Sequence, residues 1–252
     1  MAKKHIVFGI SGRAQSGKTT LVDFIEDKIK NDWTMLPDSF LELYDYWGHE
    51  FELGNVCRVI YFADQLKKIC IELFGLSHHQ VYDDHGKNEP IDWLKWENMP
   101  GVMTPSMSVK LDYLNKQDYQ HLTKNMIFHE PGPMTGREFM EYLGTDLGRR
   151  INEHCWINAT FSEIDECNEP TIFLIGDVRS HNEIIKIQEN KGYVGRLTRN
   201  TTHRNTTIES QLDKDKYDWD NFNFVIDNQN IDVDTKNNIG WHKFLESINN
   251  EN

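Results

Sequence analysis

Residues 12–19, Gly12-Arg13-Ala14-Gln15-Ser16-Gly17-Lys18-Thr19, satisfy the pattern GxxxxGK[ST] at every fixed position. The two glycines let the backbone wrap closely around an anion. Successive amide N–H groups and the positive end of a following helix then cradle a phosphate. Lys18 adds a mobile cation for the outer phosphate oxygens, and the Thr19 hydroxyl is placed to ligate Mg²⁺. Gly12, Gln15, Ser16, Gly17 and Thr20 complete the set expected to contact the phosphate chain of ATP. A second group follows the apolar run 171–176, which ends in Asp177. An acidic residue at the carboxyl end of a buried strand lies beside the phosphate site of an open α/β sheet, so Asp177 is the candidate that orients Mg²⁺ through its water shell. Arg179, two residues on, can neutralise charge on a transferred group. A third group is the basic stretch Arg196, Arg199, His203 and Arg204, in a run rich in Thr and Asn. A loop carrying several arginines suits a lid, at about 199–215, that closes over phosphates and excludes water. Lys18, Arg179, Arg199 and Arg204 are therefore the catalytic candidates.

The elements that must hold these residues are legible from period. Five short apolar, β-branched runs read as strands, at 6–10, 56–62, 171–175, 193–197 and 222–226. Leu21, Phe24, Ile25 and Ile29 share one helix face after the first, as do Leu66, Ile69, Cys70 and Leu73 after the second. Ile184, Ile185 and Ile187, ending at Lys191-Gly192, suggest a third helix, and 239–248 a closing one. Residues 137–150 and 155–164 read as two more helices joined near Asn152. Strands alternating with helices predict a parallel sheet covered on both faces. The expected fold is thus a three-layer α/β/α domain with five parallel strands. Two regions break the rhythm: 31–55, aromatic and acidic, and 77–135, which carries five of the seven prolines. They read as excursions, a helical turn and a hairpin. No linker divides the chain.

Composition narrows the function classes. At 252 residues and 38% hydrophobic, the chain can close one full α/β core with a small subdomain. Its net charge of −13 repels a phosphate-rich polymer, so nucleic acid is not an expected partner. A small nucleotide differs, because a local basic pocket can hold it. No apolar run approaches the roughly 20 residues a bilayer span requires, and 6–10 is too short for a signal peptide. A cytoplasmic location is expected, and a homodimer is compatible with the sequence. Cys57, Cys70, Cys155 and Cys167, without CxxC pairing, are expected reduced and mostly buried. His78-His79 and His85 read as a solvated loop rather than a structural zinc site, which needs four well-spaced ligands.

A guanine-nucleotide switch is the competing reading. Asn115-Lys116-Gln117-Asp118 matches NKxD, and DxxG occurs at Asp45–Gly48 and Asp83–Gly86. Both patterns are short, neither DxxG ends a clean buried strand, and NKxD should follow a late core strand rather than an irregular insertion. A nucleotide-binding module without catalysis is a further class; it would lack lid arginines and an acceptor site.

Several phrases together resemble the bacteriophage deoxynucleoside monophosphate kinases, a branch of the P-loop nucleoside monophosphate kinase superfamily. They are SGRAQSGKTTLVDFI at 11–25, YFADQLK at 61–67, REFMEYLGTDLGRRINEHCW at 137–156, GDVRSHNE at 176–183, the lid run ending Ile208-Glu209-Ser210, and 224–228. They are spread along nearly the whole chain but cover about half of it, skipping both excursions. The resemblance implies a single P-loop kinase domain with an acceptor-binding subdomain at about 77–135. It implies transfer of the ATP γ-phosphoryl group to 2′-deoxynucleoside 5′-monophosphates of several bases, with Mg²⁺, in the host cytoplasm. It implies that Ala63, Asp64 and Lys67 face the acceptor, that Arg137 clamps its phosphate, and that Thr145 and Asp146 lie near its base and sugar. Arg150 and Glu209 join that substrate set, although at least one of Arg149 and Arg150 reads as a surface charge. A guanidinium grips phosphate with two parallel bonds, and carboxylates bind sugar hydroxyls or exocyclic amines. Phe139, Leu143 and Trp156 read as core packing. Some relatives carry Asp where Thr19 stands, so this loop follows the general pattern.

Overall fold

The computed structural model describes residues 5–47, 56–108, 116–199 and 209–249. In chain order the elements begin with β1 (His5–Ser11), α1 (Lys18–Asn31) and α2 (Asp38–Trp47). Next come β2 (Cys57–Ile60), α3 (Asp64–Glu72) and the short α4 (His78–Tyr82). They are followed by β3 (Pro90–Lys95), β4 (Val102–Met103), α5 (Pro105–Ser108), α6 (Lys116–Thr123), β5 (Ile127–Phe128) and β6 (Pro133–Thr135). Then α7 (Gly136–Glu141) runs into a π-helical stretch (Tyr142–Arg149), and α8 (Cys155–Glu166) follows. β7 (Thr171–Val178), α9 (His181–Glu189), β8 (Tyr193–Leu197), β9 (Phe224–Ile226) and α10 (Val233–Asn249) complete the chain. Contacts divide these elements into two compact units, one running up to Gln65 and resuming at His154, the other spanning Leu66–Glu153.

The first unit is built on a five-stranded parallel sheet in the order β2-β7-β1-β8-β9. Alternation along the central strands sends side chains to both faces. Phe8, Ile10, Ile172 and Leu174 join the core under α1 and α10, with Leu21, Ile25, Trp241 and Phe244. Val7, Phe173 and Ile175 join the opposite core, with Ile157 and Phe161 of α8 and Ile184 and Ile187 of α9. Helices thus cover the sheet on both sides, as the near-continuous apolar strands demand, and the three-layer α/β/α arrangement follows. β1 sits in the middle, flanked by β7 and β8.

Three elements differ from the sequence expectation. β2 stops at Ile60 because the next N–H groups leave the ladder: Tyr61 donates to Asp64, and Phe62 and Ala63 donate to Asp177. The last strand begins at Phe224, preceded by a 3₁₀ turn over Trp219–Asn221 that Asp218 caps. In α9, Ile185 points outward while Ile184 and Ile187 are fully buried, because a helix face cannot hold adjacent residues. The four cysteines form no disulfide, and all but Cys155 are buried.

The second unit has its own core, in which Cys70, Leu76, Ile91, Trp96, Met134, Phe139, Tyr142 and Leu143 meet. Phe139 and Leu143 are core residues as expected; Leu73 is not, being exposed just past the end of α3. The region read as a hairpin instead pairs β3 with β6, antiparallel and far apart in sequence, and β4 with β5 in parallel. The helix expected over 137–150 starts at Gly136 behind a capping box between Thr135 and Glu138, then widens into the π stretch. Such wide turns recur at functional sites. Here the stretch carries Gly144-Thr145-Asp146, and Gly144 packs closely on Leu66, since a Cβ there would lie 2.8 Å from Leu66 Cδ2.

Candidate active site

Parallel register brings the sequence-separated candidates to one edge of the sheet. Ser11 pairs with Val178 on one side and with Arg196 on the other, and Leu197 pairs with Ile226. The loop after β1, Asp177 at the end of β7, and the segments after β8 and β9 therefore all emerge at the carboxyl edge, where ligands bind in open α/β sheets.

The 12–17 loop uses left-handed backbone at Gly17, which glycine tolerates, and at Gln15, where a side chain makes it uncommon. Gly17 has φ +91° and Gln15 φ +58°, both left-handed, and the Ser16 N–H closes the turn onto the Arg13 carbonyl at 3.1 Å. Gly12 is fixed by crowding: a Cβ there would sit 2.4 Å from Ser16 Oγ. Ser16 Oγ is itself buried with no hydrogen-bond partner among the described residues. Gly17 opens α1 without a side-chain cap, and no acidic residue lies in the first turn. The positive end of this helix is thus left for an anion, whereas α7 and α9 close theirs with capping boxes. Lys18 is buried, and its ammonium bridges the carbonyls of Gly12 and Arg13 at 2.7 Å each. Thr19 and Thr20 are exposed beside it.

Asp177 is nearly buried, and both its oxygens accept backbone N–H groups, from Phe62 at 2.9 Å and Ala63 at 3.2 Å. The carboxylate is thereby aimed rather than left to rotate. Close by, the Tyr61 hydroxyl is hydrogen-bonded to Thr19, and its pKa is pushed up to about 12 by burial, then by the carboxylates of Asp23, Asp177 and Asp64. Gly176 leaves room for that ring, since a Cβ would come within 2.7 Å of Tyr61 Cε1. Asp64, the first residue of α3, accepts the Tyr61 N–H at 2.8 Å. Thr19 and Asp177 offer oxygen ligands only, the type that Mg²⁺ takes. Arg179 is exposed just beyond, and its backbone N–H is bound by buried Glu183.

The other flank holds residues that local sequence patterns do not mark. Asn228 is fully buried; its Nδ2 donates to the Ser16 carbonyl and its Oδ1 accepts the Arg199 N–H, both at 2.8 Å. Arg199 Nε and one Nη return bonds to the carbonyls of Asn228 and Ile231. Lys236 of α10 reaches the Gly17 carbonyl at 2.7 Å and Thr20 Oγ1 at 2.6 Å. Desolvation first, and then the Arg199 charge, lower its pKa to about 8. Arg13 pairs with Asp213. Arg196, read above as part of the basic loop, is instead a buried β8 residue that donates to Ser11 Oγ at 2.9 Å. Arg204 and His203 lie outside the described residues. Glu209 opens a short 3₁₀ turn, Glu209–Leu212.

In the second unit, Arg137 donates from Nε to Asn88 Oδ1 at 3.1 Å and lies 3.6 Å from the Asp84 carboxylate. Asp146 is partly buried; burial raises its pKa and Arg150 opposes the rise. Thr145 is exposed, and Arg150 binds the Asn125 carbonyl at 2.9 Å. The Lys67 ammonium stands 4.8 Å over the Tyr82 ring.

The guanine-type quartets fall elsewhere. Asp118 sits in α6 of the second unit, and Asn115 is outside the described residues. Asp83, first in one DxxG, accepts the N–H groups of His85 and Gly86 in a turn. No helix among the described residues is long and apolar enough to cross a membrane. Comparison of the sequence with protein-family models and with curated proteins gives no match.

Proposed function

We propose that the chain is an ATP-dependent deoxynucleoside monophosphate kinase, transferring the γ-phosphoryl group to a 2′-deoxynucleoside 5′-monophosphate. The observation that carries the phosphotransferase reading is the side-by-side placement of an uncapped GxxxxGKT loop and an immobilised Asp177 at the ends of paired strands. The choice of acceptor rests on the resemblance of 137–156 to the phage enzymes, and the wide helical turn around Thr145 and Asp146 agrees with a functional role there.

In this reading the loop amides and the α1 end hold the β-phosphate, and Lys18 turns from its carbonyl partners toward the phosphate oxygens. Thr19 and Asp177 would hold Mg²⁺, which would supply positive charge against the phosphates. Arg179, Arg199 and Arg204 are the cations available for charge spreading in the transition state. Arg137 fixes the acceptor phosphate, which needs no general base because it is already an anion. The protein contributes alignment and electrostatics rather than covalent chemistry.

A coupled ADP-release assay with ATP, Mg²⁺ and each of the four common dNMPs tests the proposal. Turnover that requires a dNMP is expected. Turnover without any acceptor, or a tenfold preference for GTP that Asp118→Ala abolishes, would replace it with a nucleotide switch; nucleotide binding with no turnover would leave a binding module.

A further inference from the structure

The loop at 83–89 gathers three side chains that the active-site reading does not use. His79 on α4, His85 and Glu89 place one ligand atom each within 4.8 Å of one another. His79 Nε2 lies 3.5 Å from one Glu89 oxygen, and His85 Nδ1 lies 2.9 Å from the other. Ligands about 2.1 Å from a tetrahedral zinc stand roughly 3.4 Å apart, so small rotations would bring all three onto one ion.

The surroundings bias the orientation of His79. His79 Nδ1 faces the Asp83 carboxylate at 3.5 Å, and Asp83 is held in turn by the N–H groups of His85 and Gly86. A carboxylate beside one ring nitrogen favours the tautomer that leaves the other lone pair for a metal. Gly86 lets the loop close over that ring, since a Cβ there would lie 2.5 Å from His79 Cδ2. His78, by contrast, stacks on Tyr82 with ring centres 5.3 Å apart and is not among the converging ligands. Sequence spacing alone favours a solvated loop because a structural zinc site needs four well-spaced ligands, and it does not show that His79, His85 and Glu89 converge.

We infer that His79, His85 and Glu89 form a three-ligand site for a divalent transition metal of the zinc class, oriented by Asp83 and completed by water. Two imidazoles and one carboxylate with an open position are a ligand set that zinc accepts and Mg²⁺ does not favour. The site's residues belong to the second unit and differ in ligand type from the oxygen donors Thr19 and Asp177 of the first. The loop it would stiffen also carries Asp84 and Asn88, the partners of Arg137.

The test uses the full chain, stripped with a chelator and titrated with Zn²⁺ by calorimetry in millimolar Mg²⁺, with Co²⁺ as a spectroscopic probe. One equivalent is expected to bind, with intense visible Co²⁺ bands diagnostic of low coordination. His85→Ala and Glu89→Gln should each weaken Zn²⁺ at least tenfold, while His78→Ala changes nothing. All three side chains are exposed enough for these variants to fold, which circular dichroism checks. Equal affinity in wild type, His85→Ala and Glu89→Gln, or binding lost only in His78→Ala, would overturn the site. None of these readouts measures phosphoryl transfer, so they stand or fall apart from the kinase proposal.

Discussion

Replacing Asn228 by alanine should both destabilise the protein and loosen its phosphate loop. The buried amide is the tether between the β9–α10 connection and the loop, through Ser16 on one side and Arg199 on the other. Alanine removes both bonds and puts no polar group in their place. The Ser16 carbonyl, in a buried residue, then loses a donor in a site water reaches poorly, a cost of ~1–3 kcal/mol. The Arg199 N–H is half-buried and partly recovers by hydration, so it adds about 0.5–1.5 kcal/mol. Together the loss is roughly 1.5–4.5 kcal/mol, a large share of the ~5–15 kcal/mol typical of a domain. Urea unfolding followed by tryptophan fluorescence measures it, with Trp241 reporting from the core beneath α10. Affinity for an ATP analogue, titrated directly, should fall severalfold in parallel because Ser16 is no longer held. A variant within about 0.5 kcal/mol of wild type, with analogue affinity unchanged, would show that the tether carries neither stability nor loop geometry.

Lys18→Ala should leave the circular dichroism spectrum intact and reduce kcat more than tenfold, since a lost transition-state contact costs at least ~2 kcal/mol; a variant keeping over a tenth of wild-type kcat refutes its role. Arg137→Lys keeps the charge but loses the planar fork, so kcat/KM for dNMP should fall strongly while directly titrated ATP affinity is unchanged; kinetic silence would mean that Arg137 serves only its bonds to Asn88 and Asp84. For Lys236 the sign runs upward with pH. Its folded pKa of about 8 lies below the ordinary 10.5, so the unfolded chain binds more protons between those values. Wild-type stability relative to Lys236→Met should therefore rise from pH 8 to 10, and a flat or falling difference in paired urea titrations would contradict the buried cation.

The strands and helices of the first unit were legible because both faces of their sheet are buried. An apolar run such as 171–175 can only be a covered strand there, and Leu21, Ile25 and Ile29 keep one helix face. The phosphate loop was legible for a related reason, since its glycines, lysine and threonine lie within one short local segment. The excursion at 77–135 was not, because β3 and β6 find each other across a long insertion and no local period encodes that pairing. The π stretch at Tyr142–Arg149 was equally hidden, since no local period distinguishes it from an ordinary helix.

What the sequence determined by itself is the local chemistry: a GxxxxGKT loop between strand and helix, an acidic residue closing a buried strand, and an alternation of elements that fixes an α/β sheet. These follow from backbone conformation and side-chain period, which act over a few residues. Only the tertiary structure decided that Asn228 and Lys236 hold the loop from the far end of the chain, that Arg196 belongs to the core, and that Glu89 joins His79 and His85. Each is a contact between groups on separate elements, made where strand register or loop closure brings the chain back on itself.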